Sequence, residues 1–153
     1  MQDYTQFLTS KRLTAQPVGF TPGPLHPDMF QYQSDVTRWG LRRGRAAFFQ
    51  DCGLGKTFEQ IEWAWAVHVH TGGVVLILSP LAVAEQTIAE AERFGRVIRM
   101  AESDEDITEL GVYITNYEKL HKFTCSRFVG IVLDESSILK SFDGSTRKAL
   151  VEF

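Results

Sequence analysis

The sequence has few of the features of a secreted protein, a membrane protein or a protein stabilised by a structural metal ion. Its two cysteines, Cys52 and Cys125, are too few for a disulfide framework, and no Cys/His spacing suggests zinc. No apolar run approaches the roughly 18 residues of a membrane span, and the N-terminal MQDYTQFLTSKR lacks the apolar centre of a signal peptide. We therefore predict a cytoplasmic protein with reduced thiols and no membrane partner.

The chain also lacks an excess of positive charge. Its 16 Lys and Arg against 19 Asp and Glu give a net charge of −3 at pH 7, so bulk charge alone would not hold nucleic acid. One basic cluster, formed by Arg38, Arg42, Arg43 and Arg45, is either a solvated helix end or a local contact for a polyanion. A hydrophobic fraction of 44% over 153 residues is typical of a single globular domain.

A glycine-rich stretch, Phe48 to Thr57 (FFQDCGLGKT), stands between a predicted strand and a predicted helix. Ala46 to Phe49 is a short apolar run suited to a buried strand, and Phe58 to His70 carries the apolar spacing of a helix. Gly53 and Gly55 fall at the turn, where glycine lets backbone amides point at an anion and the amide end of the helix favours negative charge. The stretch therefore predicts a phosphate-binding loop.

Lys56 and Thr57 carry the chemistry that such a loop would need. Lys56 would reach the terminal phosphates of a nucleotide, and Thr57 would ligate Mg²⁺. The pattern GxxxxGK[ST] is broken at its first position, where Gln50 replaces glycine. A glycine turn with a merely solvated lysine is the alternative interpretation.

Strands and helices alternate along the rest of the chain. Residues 1–28 hold four of the five prolines and are predicted to form a lead-in or arm, which is irregular from Gln16 to Pro27. A helix is predicted to follow, with Asp28 as its possible N-cap and Gly44 at its end. The further predicted strands are Val74–Leu78, Val97–Met100, Val112–Thr115 and Phe128–Leu133, and the further helices are Val83–Phe94, Tyr117–Lys122 and one beginning in Ser145–Phe153. This alternation predicts an α/β domain with a mainly parallel β-sheet flanked by helices.

Two adjacent carboxylates, Asp134 and Glu135, follow the predicted strand Phe128–Leu133. The carboxyl ends of strands are where open α/β sheets bind ligands. Asp134 would hold Mg²⁺ directly or through water, and Glu135 would orient or deprotonate the water that attacks a γ-phosphate. Without the phosphate loop, the same pair would be read as a solvated loop start.

These motifs, in this order, resemble the first RecA-like domain of superfamily 2 helicases and translocases. The likeness is closest to the Snf-type branch and to compact phage and prokaryotic relatives, and covers roughly residues 29–150. The matching segments are Gln33 in MFQYQ, DCGLGKT (Asp51–Thr57) for motif I, LSPLAVAEQ (Leu78–Gln86) for motif Ia, ITNYEKL (Ile114–Leu120) for motif Ib and LDESSILKS (Leu133–Ser141) for motif II. Ser136 and Ser137 depart from the alanine and histidine that are usual in motif II.

The resemblance implies a role for each matched residue. It implies that Gln33 reads adenine, that ATP lies on Asp51, Cys52, Gly53, Leu54, Gly55, Lys56 and Thr57, and that Thr57 and Asp134 hold Mg²⁺. Glu135 and Lys56 would be the catalytic residues. Pro80, Leu81, Asn116 and Tyr117 would contact a nucleic-acid backbone, although a strand end at Pro80 and a core tyrosine at Tyr117 are equally good readings.

The implied function is that of the ATP-binding half of a DNA-dependent ATPase, a helicase or duplex translocase. By the same resemblance, residues 29–153 would be a partial RecA-like domain. The missing partner would be a second RecA-like domain that carries arginines, or another chain in its place. Alternatives from other classes are a non-catalytic nucleotide-binding or interaction module and an unrelated P-loop kinase or GTPase. We expect 153 residues alone to turn over ATP negligibly.

The resemblance also implies that the sheet is incomplete. In RecA-like sheets, the strand that carries motif III lies between the phosphate-loop strand and the motif II strand. Here Ala46–Phe49 and Phe128–Leu133 would face a gap, and each buried unpaired backbone group costs about 1 to 3 kcal/mol. We therefore expect stable folding only if the N-terminal arm, a second copy or another sequence fills the gap.

Overall fold

Four parallel β-strands form the centre of the protein in a computed structural model that describes residues 16–51 and 53–135. The strands are β1 (Val74–Ser79), β2 (Ile98–Met100), β3 (Val112–Asn116) and β4 (Phe128–Leu133). Their order in the sheet is β2-β3-β1-β4, so β1 lies between β3 and β4. The predicted α/β class with a parallel sheet is confirmed.

Strand β1 occupies the interior because its sequence, VVLILS, has no charged side chain to keep in water. All six of its residues are buried, as parallel strands covered on both faces must be. It pairs with β3 from Val75↔Val112 to Ser79↔Asn116, and with β4 from Val75↔Gly130 to Leu78↔Leu133. These pairings bring the ends of β1, β3 and β4 to one edge of the sheet.

Within the described residues, three helices flank the sheet: α1 (Gln31–Arg43), α2 (Lys56–Thr71) and α3 (Leu81–Arg93). Helix α2 buries Ile61, Ala64 and Val67 in a core cluster that also contains Val75 and Ile77 of β1. Three short 3₁₀ helices complete the described elements: Asp104–Asp106, Tyr117–Lys122 and Cys125–Arg127. Residues Tyr117, Leu120 and Phe123 join Leu76 and Leu78 in a second core cluster.

The lead-in segment that precedes α1 packs against the helices without regular secondary structure in residues 16–28. The amides of Val18 and Phe20 donate to the carbonyls of Arg43 and Leu41, at 3.2 and 3.0 Å. Further along, the amide of His26 donates to the Oε1 atom of Glu62 at 2.8 Å. The segment is therefore attached to both α1 and α2.

Several predicted boundaries are wrong by a few residues. Helix α1 begins at Gln31 with Phe30 as its N-cap, so Asp28 does not cap it; a turn in which the amide of Met29 donates to the carbonyl of His26 intervenes. Helix α3 begins at Leu81, because proline is accepted at a helix start, and the predicted helix Tyr117–Lys122 is a 3₁₀ helix. The predicted helix in Ser145–Phe153 lies outside the described residues.

The predicted strand Ala46–Phe49 is also wrong, since these residues pair with none of the four described strands. A cavity of about 390 Å³ separates the segment from Ile131, Val132 and Leu133 of β4. The Phe49 side chain is 95% exposed. An apolar run becomes a strand only when a neighbouring strand lies within hydrogen-bonding reach, and here the cavity takes that neighbour's place.

Candidate functional site

The predicted phosphate loop is a tight turn that ends where α2 begins. Gly53 and Gly55 have φ angles of 83° and 73°, in the left-handed region that favours glycine. Gly55 is the N-cap of α2, and the amide of Phe58 donates to its carbonyl at 3.1 Å. The first-turn amides of α2 therefore lie directly after the loop, which is the geometry that attracts an anion. Cys52, a predicted member of the loop, lies outside the described residues.

The Lys56 side chain folds back onto the chain segment that precedes the loop. Its Nζ atom donates to the carbonyl oxygen of Gln50 at 2.9 Å and reaches that of Asp51 at 3.5 Å. Backbone carbonyls are weak partners for an ammonium compared with a phosphate oxygen, because charge-assisted bonds between two ions are the stronger kind. Lys56 is thus held beside the loop in a position that an incoming anion could compete for.

Gln50, the departure from the usual pattern, is held by its side chain as well. Its Nε2 atom donates to the Oε1 atom of Glu59 at 3.1 Å. Glu59 is fully buried in the first turns of α2, and burial raises the pKa of its carboxyl, while the hydrogen bond from Gln50 and the charge of Lys56 lower it. Sequence reasoning missed Glu59, for which the only signal was an acidic residue within the predicted helix next to the loop.

Gln33 lies against the loop although 21 residues separate it from Leu54. Its Nε2 atom donates to the carbonyls of Leu54 and Gly55 at 3.2 and 3.4 Å, and its Oε1 atom accepts from the amide of Phe30 at 3.0 Å. The side chain is 3% exposed. The hydroxyl of Tyr32, which was not predicted, also donates to the Leu54 carbonyl, at 2.9 Å. Both residues position the loop, and the adenine-reading role of Gln33 stays a prediction.

The contact between Gln33 and Gly55 leaves no room for a Cβ atom unless the end of the Gln33 side chain moves. A Cβ atom placed on Gly55 would lie 2.4 Å from the Nε2 atom of Gln33, whereas one placed on Gly53 would have no atom within 4 Å. Both glycines have positive φ, but only Gly55 is also constrained by a neighbour. The helix α1 and the loop are therefore fitted to one another.

Asp134 extends from the end of β4 to the same side of the sheet as α2. Its Oδ1 atom accepts a hydrogen bond from the Nε2 atom of Gln60 at 2.8 Å, and its amide donates to the carbonyl of Leu78 at 2.8 Å. Glu135 follows with a φ of 53°, and its side chain is exposed. Gln60 lies three residues after Thr57 on α2, so the predicted Mg²⁺ ligands Thr57 and Asp134 belong to elements joined by a direct hydrogen bond.

Tyr117 fixes the other side of the Asp134 backbone. Its hydroxyl donates to the Asp134 carbonyl at 2.5 Å. Burial, followed by the charges of Asp134 and Glu135, raises the pKa of the Tyr117 hydroxyl, which therefore remains a donor. The hydroxyl is occupied within the protein, and the side chain is 6% exposed.

The four predicted nucleic-acid residues lie at the carboxyl ends of β1 and β3, on the same edge of the sheet: Pro80 and Leu81 follow β1, Asn116 is the last residue of β3, and Tyr117 follows it. Leu81 is 66% exposed and Pro80 is half-buried. Asn116 is buried, and its Oδ1 atom accepts from the amide of Lys119 at 3.1 Å, capping the 3₁₀ helix. Of the four, Leu81 presents the most exposed side chain, while Asn116 and Tyr117 have structural contacts; nucleic-acid binding by all four stays a prediction.

A magnesium ion at this site would need few protein ligands. Mg²⁺ commonly keeps several waters and takes one or two carboxylates together with substrate phosphates. The described residues contain no group of three His, Cys, Asp or Glu that could hold a metal ion alone. The oxygens of Thr57 and Asp134 are of the type that Mg²⁺ prefers, and they fit this phosphate-assisted mode.

No protein-family model matches the chain, and no curated protein matches it. Within residues 16–51 and 53–135, no helix combines the length and apolar character needed to cross a membrane.

Proposed function

We propose that the chain is the ATP-binding core of a nucleic-acid-dependent ATPase of the superfamily 2 helicase and translocase type. The observation that carries the proposal is the convergence of three separate parts of the sequence. Gln33 of α1 contacts the loop at Leu54 and Gly55, and Gln60 of α2 contacts Asp134 at the end of β4. A glycine turn unrelated to nucleotide binding would not be expected to bring residues of all three motifs together.

The loop and α2 would bind the phosphates of ATP. The first-turn amides of α2 favour negative charge, and Lys56 would exchange the carbonyls of Gln50 and Asp51 for β- and γ-phosphate oxygens. Gln33, already beside the loop, would accept and donate at the edge of adenine once rearranged from its contacts with Leu54 and Gly55. The protein would thus gain affinity mainly from the triphosphate and selectivity from the base.

Thr57 and Asp134 would hold Mg²⁺, which when bound neutralises charge on the phosphates. Asp134 is suited to this because Gln60, Tyr117 and Leu78 fix its carboxylate and backbone from three sides. Glu135, exposed beside it, would accept a proton from the attacking water or orient that water. Hydrolysis would then depend on Glu135 and binding would not.

Coupling to nucleic acid requires partners outside these elements. Leu81 and Pro80 would face a nucleic-acid backbone, DNA in preference to RNA, at the edge of the sheet that also carries the ATP site. The buried Asn116 and Tyr117 would reach that backbone only by giving up their contacts with Lys119 and Asp134. A second RecA-like domain, or another chain in its place, would supply the arginines that stabilise charge in the transition state. ATP hydrolysis would thereby drive movement along the nucleic acid.

The Mg²⁺ dependence of ATP binding tests the proposal. In calorimetric titrations, we expect Mg²⁺ to strengthen ATP binding to the wild-type chain and to have little effect on Asp134→Ala. Asp28→Ala removes a carboxylate from an exposed position and should keep the wild-type response. Equal Mg²⁺ enhancement in the wild type and Asp134→Ala would contradict the assignment of Asp134.

A further inference from the structure

Four arginines and a tryptophan lie together at the C-terminal end of α1 and just after it. We call this surface the arginine face: Arg38, Trp39, Arg42, Arg43 and Arg45. In a helix with about 3.6 residues per turn, the first four of these residues lie on one side, away from the buried side of α1. Arg42 and Arg45 are exposed, and Arg38 and Arg43 are half-buried.

The arginine face differs from the other arginines in its lack of acidic neighbours. Within residues 16–51 and 53–135, the side chains of its four arginines make no ion pair and no hydrogen bond. Each of the other arginines described there has an acidic neighbour: Arg96 has Glu62, Arg99 has Glu109, Arg127 has Asp104, and Arg93 has Glu90. The positive charge of the arginine face is therefore not balanced by the described part of the chain.

The acidic residue of α1 does not compensate this charge. Asp35 lies one turn before the arginine face, and its Oδ1 atom accepts a hydrogen bond from the Nε2 atom of Gln31 at 3.0 Å. Arg38 and Arg42 are four residues apart on the helix, where like charges repel. Binding of an anion would relieve that repulsion.

Trp39 places an aromatic ring among these charges. Its side chain is 50% exposed, and its ring lies beside that of Phe48 with centroids 6.2 Å apart. Phe48 in turn lies against Gly40, where an added Cβ atom would be 2.6 Å from the Phe48 ring. The indole is thus supported from within the protein while half of its surface stays open to solvent. A supported aromatic ring can bind another flat ring at little cost in conformational entropy.

The arginine face lies at the end of α1 that is remote from the phosphate loop. Gln33 contacts the loop, and Arg42 lies about 14 Å further along the helix. The carbonyl of Leu41 accepts from the amide of Phe20, whose ring stacks on that of His70 with centroids 3.8 Å apart. His70 is in the last turn of α2, just before the start of β1. The arginine face is therefore towards the amino edge of the sheet, away from the loop.

We propose that the arginine face binds single-stranded nucleic acid, with its arginines on phosphates and Trp39 stacked on an unpaired base. Guanidinium groups match the geometry of phosphate oxygens, and aromatic side chains stack on the open faces of bases. A duplex would offer this surface only phosphates, because its bases are stacked on one another. An acidic peptide would match the charge and leave the indole without a flat partner, and one tryptophan is too little apolar surface for insertion into a membrane.

This surface goes beyond the proposed function, because it is separate from Pro80 and Leu81 and requires no ATP. Binding of an oligonucleotide without ATP or Mg²⁺ tests it. The probe is a fluorescent strand of about twelve thymidines, compared with an abasic strand of the same length and charge and with a duplex of that length. We expect one thymidine strand to bind per chain, at least fivefold more tightly than the abasic strand or the duplex, because a stacked base adds about that factor or more.

Substitutions locate the binding. Arg42→Gln should weaken the binding of both single strands and reduce the slope of log affinity against log salt concentration by about 0.7. Arg93→Gln, at an exposed position in the last turn of α3, should stay within twofold of wild type. Trp39→Ala should weaken binding of the thymidine strand at least fivefold and leave the abasic strand within twofold. Phe30→Ala, which removes another exposed ring of similar kind, should change neither. Arg42→Gln keeps the test decisive if Trp39→Ala does not fold.

Four outcomes would overturn the proposal. They are no binding of the thymidine strand, equal affinity for the thymidine and abasic strands, tighter binding of polyglutamate or of phosphatidylserine vesicles than of the thymidine strand, and binding that Arg42→Gln leaves unchanged and Leu81→Glu abolishes. The last would place the strand at the carboxyl edge of the sheet and support the proposed function instead. A failure to bind ATP would refute the proposed function and leave this inference unaffected.

Discussion

Replacing Gly55 with alanine should damage the site more than the same change at Gly53. Both glycines lie in the left-handed region, where an alanine costs about 1 to 2 kcal/mol. At Gly53 that strain is the whole cost, because nothing lies within 4 Å of the added Cβ atom. At Gly55 the Cβ atom would lie 2.4 Å from the Nε2 atom of Gln33.

The extra cost at Gly55 can be worked out from the contacts of Gln33. Its buried amide would have to leave the carbonyls of Leu54 and Gly55, and a buried amide without partners costs about 1 to 3 kcal/mol. We therefore expect Gly55→Ala to lower the free energy of unfolding by about 2 to 5 kcal/mol, against about 1 to 2 kcal/mol for Gly53→Ala.

Urea unfolding followed by circular dichroism would measure these differences. A double-mutant cycle with Gln33→Ala isolates the contact, because the shortened side chain removes the clash. The double variant Gln33→Ala/Gly55→Ala should be less destabilised than the sum of its single variants by about 1 kcal/mol or more. If Gly55→Ala and Gly53→Ala destabilise the protein equally, the fit between α1 and the loop plays no energetic role.

Three further substitutions test separate parts of the account. Gln33→Ala should narrow the difference between ATP and GTP affinity in competition titrations, with exposed Gln31→Ala as the control; equal binding of ATP and GTP by the wild type would remove the base-reading role. Glu135→Gln should keep ATP affinity and abolish turnover once the proposed second RecA-like domain is supplied, so wild-type turnover in this variant would assign the water-activating role elsewhere. Glu62→Ala should lower the free energy of unfolding by about 3 kcal/mol, because it removes the buried carboxylate that accepts two hydrogen bonds from Arg96; Glu109→Ala, in an exposed pair with Arg99, should cost under about 1 kcal/mol, and a similar loss in both would contradict this reasoning.

The sheet could be predicted from the sequence wherever burial alone determines a strand. The apolar runs of β1, β3 and β4 predict buried strands, their alternation with helices predicts a parallel sheet, and the loop glycines mark the start of α2. Ala46–Phe49 is also an apolar run but forms no strand, because pairing depends on a neighbour that its own residues do not specify. Local sequence therefore predicted correctly the strands that have partners. It wrongly predicted a strand at Ala46–Phe49, which faces a cavity beside β4.

The candidate site was predictable as a set of residues and not as a set of contacts. Gln33, Lys56 and Asp134 were identified from motifs, and all three lie at the loop or on the adjoining edge of the sheet. The partners that hold them were missed: Gln60 for Asp134, and Tyr32 for Leu54. These are polar residues on helical surfaces, where hydrophobic periodicity carries no information about what each side chain reaches.

Calorimetric titration of the chain with ATP and Mg²⁺, compared with Lys56→Ala, tests the central claim most directly. Lys56 donates only to the carbonyls of Gln50 and Asp51 among its described hydrogen-bond partners, so its removal should leave the fold intact. Lys122→Ala removes an equal charge from an exposed site and serves as the control. The account predicts one ATP bound per wild-type chain and per Lys122→Ala chain, with binding lost in Lys56→Ala. Unchanged ATP affinity in Lys56→Ala would contradict the assignment of the phosphate loop.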